Sequence, residues 1–171
     1  MKRRHLAAAI AATMAVGMAA LQLVPGMDVV NPPVQRWQTI EASVAVPAPV
    51  AAILARACRN CHSNETVAPW YGRFAPGSWL LARDVNRARR AMNLSTWAVG
   101  PGRQPAVAAA TLAAACADIR SDRMPLAPYR FMHPESRLSA GDEQTFCAWA
   151  NRWSRDLVSR RAPEPDAARA P

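Results

Sequence analysis

Lysine is nearly absent from this chain: Lys2 is the single one, and the remaining Lys+Arg residues are all arginine. Cysteine is scarce as well. Four in 171 residues are too few for a disulfide-dense mini-protein. Runs of β-branched residues are few and 15 prolines are spread along the chain, which argues against a large sheet. No internal repeat stands out and no segment reads as a convincing strand. No nucleic-acid-binding motif accompanies the formal charge of +9, so that charge is not read as a nucleic-acid footprint. Three of the 21 basic residues, Lys2, Arg3 and Arg4, sit at the extreme N-terminus, leaving 18 against 12 acidic residues. Half of the residues are hydrophobic (51%), which excludes global disorder. What remains is an all-α domain with Pro-rich connections, and the length fits one domain plus appendages.

The first 25 residues read as a signal peptide or signal anchor. The basic start is followed by Leu6 to Val24, a charge-free apolar stretch, and then by Pro25-Gly26-Met27-Asp28. A basic n-region before an apolar h-region marks export, and about 19 residues also suffice to span a bilayer. The length favours an uncleaved anchor; Gly17-Met18-Ala19 keeps a cleaved signal open as the alternative. The positive-inside rule leaves Lys2, Arg3 and Arg4 in the cytoplasm and sends the rest across, into an oxidising, periplasmic space.

Residues 26–46, with Asn31-Pro32-Pro33, read as an extended linker. The domain proper is expected over 47–158. Val50, Ile53, Leu54 and Ala57 have helical spacing and lead into Cys58-Arg59-Asn60-Cys61-His62. A loop follows, and Ser78 reads as the N-cap of a second helix, Trp79 to about Met92, with Leu81, Val85, Ala88 and Met92 on one face. Gly100-Pro101-Gly102 breaks the chain before a third helix, about Ala106 to Arg120. Ser121 to Leu138 reads as loop. Ser139-Ala140-Gly141-Asp142 resembles a capping box with Asp in the usual Glu position. The helix it opens carries Phe146, Trp149, Ala150, Trp153 and Leu157 at helical spacing. Residues 159–171, rich in Pro and Ala, read as a disordered tail.

Cys58, Cys61 and His62 fit the Cys-x-x-Cys-His pattern of covalent haem attachment. Two thiols three residues apart reach the two vinyl groups of one porphyrin, and the adjacent imidazole meets the iron as its proximal ligand. The pattern coincides with an export segment, and c-type attachment takes place beyond the membrane. A Cys58–Cys61 redox disulfide would leave His62 without a role. A zinc site recruiting Cys116, Cys147 or His133 has loose spacing. For the sixth iron position Met124, in a loop before Pro125, is the candidate, because a soft thioether favours ferrous iron and raises the potential. His133, which would give bis-imidazole ligation, Met132 and Met92 are alternatives, and Met92 sits at core spacing.

The stretch Cys58 to Trp97 also holds Ser-Asn-Glu-Thr directly after the haem motif, Pro69-Trp70-Tyr71, Ala75-Pro76-Gly77-Ser78-Trp79-Leu80 and Asp84-Val85-Asn86. Met124-Pro125-Leu126, Tyr129, His133-Pro134-Glu135, Arg137-Leu138-Ser139 and Trp149-Ala150 follow. With the Asn-Pro-Pro tract at 31–33, this order resembles the bacterial haem-binding domain family of exported cytochrome-c-like proteins, over about Asn31 to Trp153. The resemblance implies a cytochrome-c-like bundle around one covalent haem c, with His62 proximal and Met124 distal. It says little about partners.

With Cys58 and Cys61 assigned to haem, two free thiols in an oxidising space would be anomalous, so Cys116 and Cys147 are expected to form a disulfide closing the loop that holds Met124. Trp70, Tyr71, Trp79 and Trp97 either line the haem or fill the core. Arg73, Arg83 and Asn86 either neutralise propionates or stay solvated. The arginine excess has three further readings: an acidic redox partner, an anionic membrane surface or a plain solvated surface. The leading function is one-electron transfer by a membrane-tethered monohaem domain with an unknown redox partner. Its rivals are a haem enzyme or sensor binding peroxide or nitric oxide at an open distal position, and a haem-carrying structural module of a larger complex.

Overall fold

The computed structural model describes residues 2–24, 28–97 and 105–159. Among these it is all-α, as expected, with no strand. In chain order the helices are α1 (Lys2–Leu23), α2 (Ile40–Ser43), α3 (Ala48–Ala57), α4 (Arg59–His62), α5 (Gly77–Ala91), α6 (Pro105–Arg120), α7 (Ala127–Met132) and α8 (Ala140–Ser159). Short 3₁₀ turns lie at Arg36–Gln38, Trp70–Arg73, Leu94–Thr96 and Pro134–Ser136. The expected breaker at Gly100-Pro101-Gly102 and all but Ser159 of the expected tail lie outside the described residues.

The core is organised by the pairing of α6 with α8. Ala108, Ala109, Leu112 and Cys116 of α6 are buried, and so are Phe146, Cys147, Trp149, Ala150 and Leu157 of α8. Small residues on α6 let the helices approach closely, and Ser154 Oγ donates to Ala109 O across the interface at 3.0 Å. Cys116 and Cys147 form a disulfide, Cα–Cα 5.1 Å apart, as the residue count predicts. It closes the segment that carries Met124 and α7. Replacing both cysteines by Ala is expected to lower the unfolding free energy by about 3–4 kcal/mol, the loop-closure value for some 30 residues. Urea titration measures this, and a loss below about 1 kcal/mol would show that packing of α6 on α8 alone holds the loop.

The capping box is present. Ser139 N donates to Asp142 Oδ2 at 2.8 Å and Asp142 N donates to Ser139 Oγ at 3.1 Å. Asp142 also pairs with Arg56 of α3 at 2.7 Å. The Ser139 backbone N–H, its hydroxyl and the Arg56 guanidinium hold the Asp142 carboxyl down to about 2. One carboxylate thus starts α8 and fastens it to the helix that leads into the Cys-x-x-Cys-His turn.

Three expectations change. The segment 26–46 is not an extended linker throughout: it contains α2, and Ile40 and Val44 are buried, at 0% and 3% exposure. Trp149 Nε1 and Trp153 Nε1 both donate to Ala45 O, at 2.9 and 3.1 Å. The prolines suppress long helix without preventing the intervening apolar residues from joining the core. The loop 121–138 contains α7, whose six residues are too few to show an apolar period and whose Pro128 suits the first helical turn. Helix α5 starts at Gly77, not at Trp79, and Ser78 does not cap it. A Cβ on Gly77 would meet Tyr71 O at 2.2 Å. Close approach of the Trp70–Arg73 turn, which only glycine permits there, sets the start of the helix.

Candidate functional site

Helix α3 ends at Ala57, and the chain turns at Cys58 into the single helical turn α4. His62 N and Cys61 N both donate to Cys58 O, at 2.9 and 3.2 Å. This brings Cys58, Cys61 and His62 into one turn. The two thiols are not bonded to each other. Burial pushes the Cys58 thiol up to about 12 and the Cys61 thiol up to about 11, with Asp84 adding to the second. Both are therefore neutral thiols, unlike the exposed thiolates of redox pairs.

His62 is held from the C-terminal end of α5. Its Nδ1 lies 3.0 Å from Met92 O. A carbonyl only accepts, so this bond places the proton on Nδ1 and leaves the Nε2 lone pair available. Burial lowers the His62 pKa, and the carbonyls of Met92 and Ala88 partly oppose that shift. The ring is thus a neutral, oriented imidazole, the form that ligates a metal. Met92 takes part through its carbonyl, while its side chain belongs to the core, where its helical spacing placed it.

The backbone beyond His62 is braced by a polar network that sequence reasoning did not single out. Asn31 Nδ2 donates to Thr66 O at 2.9 Å, and Thr66 N donates back to Asn31 Oδ1 at 3.2 Å. Arg89 of α5 donates to Ser63 O at 2.7 Å, Val30 O at 2.6 Å, Asn31 Oδ1 at 2.6 Å and Thr66 Oγ1 at 3.0 Å. Asn93 Nδ2 donates to Asn64 Oδ1 at 3.0 Å, and Asn64 N donates to Ser95 Oγ at 3.0 Å. Ser63, Asn64 and Ser95 are buried. The visible signal was the Ser-Asn-Glu-Thr run after the histidine. Polar residues placed there are buried only because distant partners satisfy them.

On the other side lie Tyr71, Tyr129 and His133. Tyr129 stacks on His133 with centroids 4.3 Å apart. Tyr71 Oη is 2.9 Å from His133 Nε2, and His133 Nδ1 is 3.1 Å from Glu135 Oε1. Burial and the nearby Cys61 raise the pKa of both tyrosines. Both nitrogens of His133 are engaged, so a role as distal ligand would break one of these bonds. Met124 stands in the loop between α6 and α7, half-buried, with its N–H donating to Asp118 O at 3.2 Å. The Asp118 carboxylate also raises the His62 pKa, opposing the larger effect of burial. Met132 is exposed at the end of α7.

The other residues divide as follows. Trp97 is fully buried and belongs to the core, whereas Trp70 is 71% exposed and Trp79 half-buried. Arg83 pairs with Asp84 at 3.0 Å, and Arg73 and Asn86 are exposed. A groove of about 400 Å³ along α7 is lined by Ala127, Arg130, Phe131, Arg137 and Leu138. Its lining includes neither the thiols, His62 nor Met124, so it is separate from the Cys-x-x-Cys-His turn. Among the described residues no cluster of three His, Cys, Asp or Glu side chains could hold a metal ion, which leaves the zinc alternative without a ligand set.

The donor set suits a haem: two unpaired neutral thiols, an imidazole fixed by its Nδ1, and aromatic rings beside them. No curated protein and no solved structure matches the chain. A family model described as a haem-binding domain matches residues 16–152, from inside α1 to the second-last turn of α8. With a match over most of its length that includes the Cys-x-x-Cys-His turn, the chain belongs to the haem-binding domain family.

Proposed function

We propose that this protein carries one covalently attached haem c and transfers single electrons on the periplasmic side of the cytoplasmic membrane, to which α1 anchors it. The observation that carries the reading is the His62 ring, held through Nδ1 on Met92 O and flanked by two unpaired thiols. The Cys58 and Cys61 thiols would each add across a porphyrin vinyl group, sulfur to one carbon and hydrogen to the other. The resulting thioethers hold the group in place. His62 would ligate the iron through Nε2 and Met124 through its sulfur. A haem held in this way supplies a one-electron couple. The chain's part is to keep both ligands bound in either oxidation state and to exclude water.

Two features support the anchor. Helix α1 is long and apolar enough to cross a bilayer, and none of its apolar window is buried. The family match begins at residue 16, within α1, so the end of this helix is part of the matched region. The enzyme or sensor reading has no comparable support, because His133, the candidate distal acid–base group, already bonds Tyr71 and Glu135.

The test is the optical spectrum with the intact mass. The reduced protein is expected to show a sharp low-spin c-type band and a mass raised by one haem that survives denaturation. A high-spin, five-coordinate spectrum would sink electron transfer in favour of small-ligand binding at an open distal position.

A further inference from the structure

Helix α1 ends on the globular domain. Gln22 Nε2 donates to Ala75 O at 3.2 Å, and Ala75 N donates to Gln22 Oε1 at 3.0 Å. One side chain thus satisfies both backbone groups of a residue 53 positions away. The 22 residues of α1 make a rod of about 33 Å, close to the roughly 30 Å of a hydrocarbon core. With Lys2, Arg3 and Arg4 at one interface, Gln22 falls at the other, and Ala75 with it.

The surface around Ala75 suits that position. Trp70 is 71% exposed, Phe74 58% and Leu80 49%. Leu80, Arg83 and Arg87 recur at steps of three and four on α5, opposite its buried face of Leu81, Ala82, Val85 and Ala88. Arg73 and Arg87 are exposed and form no ion pair among the described residues; Arg83 is shared with Asp84. Exposed aromatic rings beside unpaired arginines match the two layers of a membrane interface. Rings sit at the acyl–headgroup boundary, and guanidinium groups meet phosphates.

We infer that this corner of the domain, Trp70, Phe74 and Leu80 with Arg73, Arg83 and Arg87, rests on the anionic headgroups of the bilayer that α1 spans, oriented by the Gln22–Ala75 clamp. The inference rests on the proposed reading that α1 is retained. An acidic protein would answer the arginines too. It would not explain why the apolar rings gather where the membrane helix is fastened. The clamp fixes which side of the Cys-x-x-Cys-His domain faces lipid and which is left for a soluble partner.

The test uses the full-length, haem-loaded protein in nanodiscs of phosphatidylcholine with or without phosphatidylglycerol. Intact mass first establishes whether α1 is present. Hydroxyl-radical footprinting then reads side-chain oxidation. Oxidation of Trp70 and Phe74 is expected to fall at least about threefold when phosphatidylglycerol is included. The triple variant Arg73→Ser/Arg83→Ser/Arg87→Ser should abolish the difference, and Gln22→Ala should reduce the protection. Equal oxidation in the two lipid compositions, whether high or low, overturns the inference and leaves the face to a protein partner or to the domain itself. A mature chain shortened by α1 instead overturns the anchor reading, and this inference with it.

Discussion

The double variant Cys58→Ser/Cys61→Ser is expected to lose all covalently held haem. The two thiols sit in one turn with Cys61 N bonded to Cys58 O, so one porphyrin edge can meet both. Serine keeps the size and removes the sulfur nucleophile. Haem stain on a denaturing gel should vanish, and the intact mass should fall to that of the polypeptide. His62 alone would not retain the haem: a single imidazole bond does not survive acid extraction, whereas thioethers do. The Cys116→Ala/Cys147→Ala variant is the control: it should be less stable yet keep its haem, since that disulfide lies between α6 and α8. Wild-type haem that extracts freely would refute covalent attachment while leaving haem binding intact. A wild-type chain without haem in which peptide mapping finds Cys58 linked to Cys61 would return the pair to a redox disulfide.

Met124→Ala is expected to have the next largest effect. Without its thioether the iron should lose the weak near-infrared band of methionine ligation in the oxidised state. The reduction potential should drop by on the order of 0.1 V or more, within the roughly 0.8 V that axial ligands span. A soft sulfur stabilises ferrous iron; water or nothing in its place does not. The loop itself should persist, because the Met124 N–H on Asp118 O needs no side chain and the disulfide still closes the segment. His133→Ala separates the two ligand candidates. It removes the bonds to Tyr71 and Glu135 and should leave the near-infrared band in place. A wild type that lacks the band, with a low-spin spectrum kept in Met124→Ala and lost in His133→Ala, would reverse the assignment. A band absent from the wild type would remove methionine ligation altogether.

Local pattern made much of this molecule legible. The apolar period of α8 and the Ser139–Asp142 box foretold that helix, and both depend only on residues within one turn of each other. The charge-free stretch foretold α1. The Cys-x-x-Cys-His run named the thiols and the imidazole, because three adjacent chemistries at fixed spacing carry their own geometry. Even the Cys116–Cys147 bond followed from counting, once the other two cysteines had a use.

What failed was short or long-range. Helix α7 has too few residues for a period, and Ser78 lost its capping role to the contact of Gly77 with Tyr71. The prolines of 26–46 signal an extended linker, while Ile40 and Val44 answer to a core built by α3, α6 and α8.

The sequence by itself therefore determined the longer helices, the apolar N-terminal segment, the disulfide partners and the trio Cys58, Cys61 and His62. The tertiary structure decided how that trio is aimed. Met92 O sets the proton on His62 from 30 residues away, Arg89 and Asn31 clamp the backbone after His62 across 26 and 35 positions, and Gln22 reaches Ala75 across 53 positions. Periodicity records which face of a helix is apolar. It does not record which carbonyl a distant side chain will find, because that depends on how the finished helices pack.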